Sequence, residues 1–469
     1  MNKFRPPVVT LMGHIDHGKT TLLDKIRQTN TWNKEAGGIT QHVSSYQVEV
    51  KPDQKITFID TPGHAAFKKM RQRGGLATDI VVLVVSATDG VMAQTKECIS
   101  IIKEFDLPVI VAINKIDLSS ASVDKVLGQL SKNELQPESF GGQISCIPVS
   151  AKSGQAIDKL IDTILITSQV LELENLPDSP LQAYIIESRI DKSKGAIATA
   201  IVNTGTISVG QDIFVGQVAT KVKALFDHTN KAISQALPST PVQILGFVDI
   251  PPIGEKITDT VQKETSTKVT TRIEQTSDPK IPIIVKADTQ GTLEALLNSL
   301  SDEARIMSAS VGPVLDNDIF LASASNAQIF AFNITSPNSV KSLAKAEGVS
   351  IVETKIIYEI LEEIEKQVLK ILEPTIDETI TGQGEIIAEF KIDKVRIAGL
   401  KCTQGIIKKG DTVHLKRKDL IIKDTKVDNI RQAKVDMDQV KQGLDCGITF
   451  KPYVDFKIGD VIISYKKEK

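Results

Sequence analysis

Hydrophobic and polar positions along the chain fall into distinct textures. Over residues 7–171, short apolar runs alternate with segments whose apolar residues recur at helical spacing. "PVVTLM", "KITFI", "DIVVLVVSA", "LPVIVAIN" and "ISCIPVS" predict buried strands, while "KTTLLDKIRQ", "TKECISIIKEF" and "AIDKLIDTILITSQVLEL" predict helices. Such alternation implies a mostly parallel sheet covered on both faces. After "ENLPDSP" (174–180), residues 181–260 show short strands, frequent glycine turns and little helix, the texture of a small β-barrel. A polar stretch at 262–280 reads as a helical or loose linker. From residue 281 the alternation returns in "IPIIVKAD", "GTLEALLNSL", "QIFAFNI", "VKSLAKAEG" and "VSIVET", predicting a second, smaller α/β layer domain.

"KIIYEILEEIEKQVLKILEP" (355–374) places Ile, Leu and Val at helical spacing until Pro374 stops it. It reads as a rod joining two domains with its charged face in solvent. An amphipathic core helix is an equal reading of the same pattern. Residues 375–469 return to β texture and carry an internal repeat. "RIDKSKGAIATAIVNTGTISVGQDIFV" (189–215) resembles "KIDKVRIAGLKCTQGIIKKGDTVHL" (391–415), with Gly-x-Ile-x-x-Gly at Gly205/Gly210 and Gly405/Gly410. "VDIPPIGEKI" (248–257) then answers "VDFKIGDVI" (454–462) in the same order. The expected organisation is an α/β domain over 1–174, a β-barrel over 175–262, an α/β/α domain over 281–354, a connecting helix over 355–374 and a second β-barrel over 375–469.

Composition narrows the functional classes. A chain of 469 residues supports several cores, and a net charge of −2 supplies no global basic field, so any nucleic-acid contact must come from local patches. Cys98, Cys146, Cys402 and Cys446 form no CxxC pair, which argues against a zinc site or a disulfide framework and fits a reducing compartment. The start of the chain has neither an apolar targeting core nor an Arg/Ser-rich amphipathic pattern. Its longest apolar run, "IVVLVV" at 80–85, is far short of a membrane span. A cytoplasmic protein without membrane contact is expected.

Candidate chemistry concentrates in the first domain. "GHIDHGKTT" follows a strand and opens a helix, fitting G-x-x-x-x-G-K-[ST]. The backbone from Gly13 through His14, Ile15, Asp16, His17 and Gly18 would wrap phosphate oxygens, Lys19 would reach the β/γ-phosphates, and the Thr20 hydroxyl, followed by Thr21, would ligate Mg²⁺. The His14/His17 pair could suggest a metal, but inside a phosphate loop the structural reading is stronger. Asp60, Thr61, Pro62 and Gly63 form an Asp-x-x-Gly turn at the end of the next strand. Asp60 can hold Mg²⁺ through water, and Gly63 can swing its N–H onto a γ-phosphate. Thr40, in "GGIT", can complete the metal shell only while a triphosphate is present, which makes an order–disorder switch. In "NKID" (114–117) the Asp117 carboxylate can accept both guanine N–H groups, Lys115 can lie along the base and Asn114 can tie the loops together. "SAK", Ser150 to Lys152 around Ala151, offers a backbone N–H to the guanine oxygen. Five motifs in order, each at a strand end, predict a P-loop GTPase domain binding GTP and GDP.

These motifs resemble the G domain of translational GTPases. The longer stretches "EAGGITQHVSSYQV", "DTPGHAAFKKMRQRG" and "DIVVLVVSATDGVMAQT" resemble the bacterial-type translation initiation factor two family, as do "KADTQGTLEAL", "LASASNA" and "DCGI" later in the chain. The resemblance implies ribosome-stimulated hydrolysis with His64 as the catalytic residue that positions water. An apolar gate of Ile15 and Ile39 would hold His64 away until large-subunit rRNA docks. It implies a monomer in solution that contacts both ribosomal subunits, with the last barrel holding formylmethionyl initiator tRNA. The matching tRNA pocket would comprise Arg431, Lys434, Asp445, Cys446 and Gly447.

The chain departs from the family's aromatic-Glu-Cys-Gly run, which here reads Leu444-Asp445-Cys446-Gly447, and a family cysteine after Ala-Gly becomes Leu400. A basic-basic-aromatic-basic run becomes Arg431-Gln432-Ala433-Lys434. Either formyl selectivity has changed or the pocket is defined by backbone and tolerates drift. Met1 falls just before the G domain, so the N-terminal extension common among bacterial members is expected to be absent. Basic stretches at 67–73 and 414–418 could meet phosphates or be solvated faces with equal weight. Two other functions fit part of the pattern. One is an elongation GTPase for a special aminoacyl-tRNA, against which the α/β insert between two barrels counts. The other is a ribosome-binding protein that uses GTP only as an assembly tag, against which Thr20, Thr40, Asp60 and His64 count.

Overall fold

The computed structural model describes the chain apart from residues 1–3, 29–39, 64–70, 72–74, 76, 192, 262–280, 301–303, 373–377, 393–394, 418–419, 433–434 and 468–469. It divides into two compact units, Met1–Glu365 and Lys366–Lys469.

The first unit begins with a six-stranded sheet built from β1 (Val8–Gly13), β2 (Ser44–Lys51), β3 (Gln54–Asp60), β4 (Ile80–Ser86), β5 (Val109–Asn114) and β6 (Cys146–Pro148). The strand order is β2-β3-β1-β4-β5-β6, parallel except for the edge strand β2. Helices α1 (Lys19–Arg27) and α4 (Ile157–Val170) cover one face, and α2 (Ala93–Glu104) and α3 (Val123–Lys132) the other. Alternation within single strands explains their unbroken apolar runs: Val82 and Val84 pack under α1 and α4, while Val81, Leu83 and Val85 pack under α2 and α3. The loops that leave the carboxyl ends of β1, β3, β5 and β6 share one edge, where open α/β sheets bind ligands.

β2 and α3 are absent from the sequence expectation. β2 is a half-buried edge strand reading "SSYQVEVK", too polar to register as a buried run. α3 buries only Val126 and Leu130, one turn apart.

The following barrel uses strands between Gln182 and Thr258, with Gln182–Asp191 pairing to Gly195–Thr204 and to Lys256–Thr258. Ser239 anchors it to the first sheet: its carbonyl accepts from Thr57 Oγ1 (2.6 Å) and its hydroxyl from Arg5 (2.9 Å), which also pairs with Asp79. The small α/β domain is a four-stranded parallel sheet of Ala304–Val311, Ile281–Ala287, Gln328–Phe332 and Ile351–Thr354, in that spatial order. Strand Ala304–Val311 and helix Asp316–Ser325 are additions to the sequence expectation; the strand's alternating small and polar residues conceal it.

The connecting helix runs Ile357–Leu372. Ile357, Ile360 and Ile364 are buried, at the spacing of one helical face, whereas Tyr358, Glu359, Glu362 and Glu365 are exposed. Its first two turns therefore behave as a packed amphipathic helix.

In the second unit, six strands close into a ring: Glu378–Ile392, Val461–Lys467, Thr412–Arg417, Leu420–Gln432, Asp445–Lys451 and Val395–Lys408, the last pairing again with the first. The opening hairpin, the return of the last strand and the neighbour of that strand match the first barrel pairing for pairing. Both copies of the glycine motif turn through left-handed backbone, with φ of 76° and 87° at Gly205/Gly210 and 68° and 86° at Gly405/Gly410. The repeat seen in the sequence is a repeat of fold. Among the described residues no helix is long and apolar enough to cross a membrane.

Candidate functional site

A cavity of about 320 Å³ opens at the carboxyl edge of the first sheet. The phosphate loop forms its floor. Gly18 is the N-cap of α1 with φ 88°, and a Cβ there would lie 2.4 Å from Asn114 Nδ2, so both conformation and contact require glycine. With no side-chain cap at Gly18, the first N–H groups of α1 point into the cavity as an anion site. Lys19 is buried and donates to the carbonyls of Gly13 (3.0 Å) and His14 (2.8 Å), curling the loop around its own ammonium. Burial pulls the Lys19 pKa down to about 8 against the attraction of Asp60.

His17 is fully buried, its ring on the Val84 carbonyl, and burial lowers its pKa to about 4. His14 and His17 meet edge to face at 5.0 Å. Two neutral rings in this packing are structural, and among the described residues no group of three His, Cys, Asp or Glu is placed to hold a metal.

The switch side of the cavity brings together residues far apart in sequence. Thr20 Oγ1 lies 2.6 Å from Thr40 Oγ1 and 3.3 Å from Asp60 Oδ2. Two hydroxyls and a carboxylate, all oxygen, suit a hard cation such as Mg²⁺ that fills its shell with water and substrate phosphates. Thr61 fixes the turn after Asp60 by donating to the Leu11 carbonyl at 2.8 Å. Arg71, buried, donates to the Pro62 carbonyl at 2.9 Å and pairs with Glu97 of α2. Gly63 packs so closely that a Cβ would come 2.5 Å from Lys19 Nζ and 3.0 Å from the Ile15 nitrogen. The Asp-x-x-Gly turn is thus pressed onto the phosphate loop. His64 and Ile39 lie outside the described residues.

The base side is tied by short-range bonds. Asn114 is buried; its Nδ2 donates to the His17 carbonyl and its Oδ1 accepts the Ala151 N–H, both at 2.9 Å. The Ala151 N–H therefore binds the loops together, so a guanine oxygen would share that donor or use Lys152. Ser150 Oγ donates to Asp117 Oδ1 at 2.7 Å and holds that carboxyl below its ordinary range. Lys115 has left-handed backbone, φ 65°, and lies 3.8 Å from Asp89.

Several contributors escaped sequence reading, Leu118 beside Asp117 among them. Gln94 of α2 accepts the Ile15 N–H at 3.0 Å. Gln41, next to Thr40, and Ile357, from the start of the connecting helix, both line the cavity. Their only sequence signal is the polar pair Gln41-His42 directly after "GGIT".

In the second unit the three segments singled out for a tRNA pocket are sheet neighbours: Arg431 and Gly399 both register with Gly447, and Leu400 with Cys446. Cys446 is buried, which pushes its thiol up to about 12, so it packs rather than reacts. Arg431 is exposed and paired with Asp436; Asp445 is exposed; Lys434 lies outside the described residues. The basic stretches hold less free charge than the sequence suggests. Arg71 is consumed as above, His414 stacks on Tyr465 at 4.0 Å, and Arg417 pairs with Asp460 at 2.8 Å. Residues 67–70, 72, 73 and 418 lie outside the described residues.

Comparison with known proteins agrees with this geometry. Residues 5–169 match the Elongation factor Tu GTP binding domain, 180–260 Elongation factor G domain 2, and 255–365 Translation-initiation factor 2. Curated relatives named Translation initiation factor IF-2 are 41% identical in Halothermothrix orenii, over 99% of this chain and 72% of the relative, and in Bacillus subtilis, over 99% and 69%. Another, from Desulforamulus reducens, is also 41% identical over 99% of this chain, which spans 50% of that relative's length. The chain belongs to the translation initiation factor 2 family of GTPases.

Proposed function

We propose that the chain loads formylmethionyl initiator tRNA onto the small ribosomal subunit, promotes joining of the large subunit, and hydrolyses GTP when the assembled ribosome activates it in the cytoplasm. The observation that carries the catalytic part is the convergence of Thr20, Thr40 and Asp60 beside a buried Lys19. Thr20, Thr40 and, through water, Asp60 would hold Mg²⁺, which when bound would offset charge on the β- and γ-phosphate oxygens. Lys19 meets the same oxygens from the loop floor, and the free N–H groups of α1 receive the remaining charge. Gly63 already lies against Lys19, where its N–H can meet a γ-phosphate. His64, the next residue, would orient the water that attacks phosphorus as GDP leaves, released past Ile15 and Ile39 by rRNA. Asn114, Asp117, Ser150, Ala151 and Lys152 would read guanine. Arg431, Lys434, Asp445, Cys446 and Gly447 would shape the tRNA pocket; the registers of Gly447 with Arg431 and of Cys446 with Leu400 support their grouping.

Single-turnover hydrolysis with and without ribosomes tests the catalytic assignment. His64→Ala should cut the stimulated rate by roughly 10³-fold or more while GTP binding persists; an unchanged stimulated rate would remove His64 from catalysis. The cargo is tested by spontaneous deacylation of formylmethionyl-tRNA with the full chain present, against unformylated methionyl-tRNA. Selective protection supports formyl reading, and no protection of either removes initiator tRNA as the cargo.

A further inference from the structure

One wall of the nucleotide cavity comes from outside the GTPase domain. Ile357, the first residue of the connecting helix, lines the cavity together with Ile15, Asp16, Thr40 and Gln41. It is 1% exposed. Gln41, itself buried, grips the start of this helix at two points: its Nε2 donates to the Lys355 carbonyl at 2.7 Å, and its Oε1 accepts the Ile357 N–H at 3.1 Å. The first N–H groups of a helix have no acceptor within it, so Gln41 acts as a cap supplied from 316 residues away. Removing that side chain would strand the buried Ile357 N–H and take one partner from the partly buried Lys355 carbonyl.

A second point fixes the same junction. His42 Nε2 lies 2.9 Å from Asp288 Oδ2, and Asp288 also accepts from Asn333 at 2.5 Å and from Thr292 at 3.1 Å. Partial desolvation and the Asp16 carboxylate raise the pKa of Tyr358, the next residue of the helix. Thr40, Gln41 and His42 are consecutive. The first touches Thr20 at the metal position, the second caps the helix, and the third binds the small α/β domain.

We infer that Ile357 is a nucleotide-contact residue: the first turn of the connecting helix closes the switch side of the pocket over bound GTP or GDP, with Gln41 as the positioning residue that holds it there. This rests on the cavity being the guanine nucleotide site. The guanine readers Asn114, Asp117 and Lys152 form a different wall, where Asn114 bonds the His17 carbonyl and the Ala151 N–H and Asp117 bonds Ser150, so the contact governs how fast nucleotide leaves rather than which base is accepted. It also makes nucleotide retention depend on residues that follow the small α/β domain.

The test is release of fluorescent GDP and GTP analogues from the full chain. Ile357→Ala should speed release about three- to tenfold, Ile357→Val should restore most of the difference, and Gln41→Ala should act in the same direction. Preference for GTP over xanthosine triphosphate should stay unchanged, which a general loosening of the domain would not guarantee. Release at the parent rate from a folded Ile357→Ala chain overturns the proposal. Should that variant fold poorly, Gln41→Ala provides a second reading, because it leaves Ile357 in place and removes only the side chain that positions the helix start. Release at the parent rate from a folded Gln41→Ala chain overturns the contact. A chain that binds no guanine nucleotide at all would sink the site assignment itself, an outcome distinct from binding with unaltered release.

Discussion

The two sides of the nucleotide cavity are built on opposite plans. The base side is closed by bonds within one domain: Asn114 to the His17 carbonyl and the Ala151 N–H, and Ser150 to Asp117. The switch side is closed by residues that belong elsewhere, with Thr40 on Thr20, Gln41 on Lys355 and Ile357, and His42 on Asp288. On the proposed assignment, a base reader whose donors and acceptors are already paired would cost little to organise when guanine arrives. A switch whose contacts reach a second domain can transmit the presence of a phosphate, because the same three residues serve both ends. Recognition is kept local here, and response is distributed.

The largest effect should come from breaking the base side. Asn114→Ala leaves the His17 carbonyl and the Ala151 N–H buried without partners, which should destabilise the first unit by about 2–4 kcal/mol in urea titrations. Retained stability would mean that the loops are held by packing alone. Asp117→Asn should be gentler on the fold, since its carboxyl is solvent-facing and bonded to Ser150. It should weaken GTP by roughly 5- to 150-fold while improving xanthosine triphosphate. Unaltered guanine preference in competition binding would refute the assigned role.

The same division explains what was legible in the sequence. The base reader and phosphate loop are contiguous motifs at strand ends, so spacing alone located Lys19, Asp60, Asn114 and Asp117 at one edge of a parallel sheet. The repeated barrels were legible because two glycines with left-handed backbone recur in each copy. The hidden parts are those whose meaning depends on distant partners. Gln41 is an unremarkable polar residue until Ile357 is folded against it, and Gln94 until it meets the Ile15 N–H. Arg71 looked like free positive charge, but it is buried on the Pro62 carbonyl and Glu97. Edge and lightly buried elements such as β2 and α3 were hidden for a different reason. They shed too few apolar side chains into the core to set a period.

On the switch side, a single contact should matter less because several share the load. Asp288→Asn keeps one of the two acceptor positions used by Thr292 and Asn333 and removes the charge facing His42, a pair that is partly open to solvent. GDP release should quicken by no more than about threefold, with guanine preference intact. A change as large as that expected for Asp117→Asn would erase the contrast between the two sides and make this ion pair the main support of the switch.

A pH-dependent readout tests how the small α/β domain is seated behind that switch. Glu187, on the first barrel, is buried; its Oε1 accepts the Ser188 N–H at 2.9 Å and, across the domain boundary, the Gly291 N–H at 3.2 Å. Burial raises its pKa to about 7, while those N–H bonds pull the other way. Because the folded value lies above the ordinary 4.5, the folded chain binds the extra proton between these two pH values. The contribution is therefore fully present below pH ~4.5 and is lost as pH rises through ~7. Glu187→Gln keeps an oxygen for both N–H donors and cannot ionise. The variant should match the parent near pH 5, exceed it by about 1–3 kcal/mol near pH 8, and show a flatter melting profile between them. If the parent's slope persists in the variant, the proton sits on another group. If the variant is weaker at every pH, the negative charge itself holds Gly291 in place, and the domain seat is electrostatic rather than a matter of a buried neutral acid.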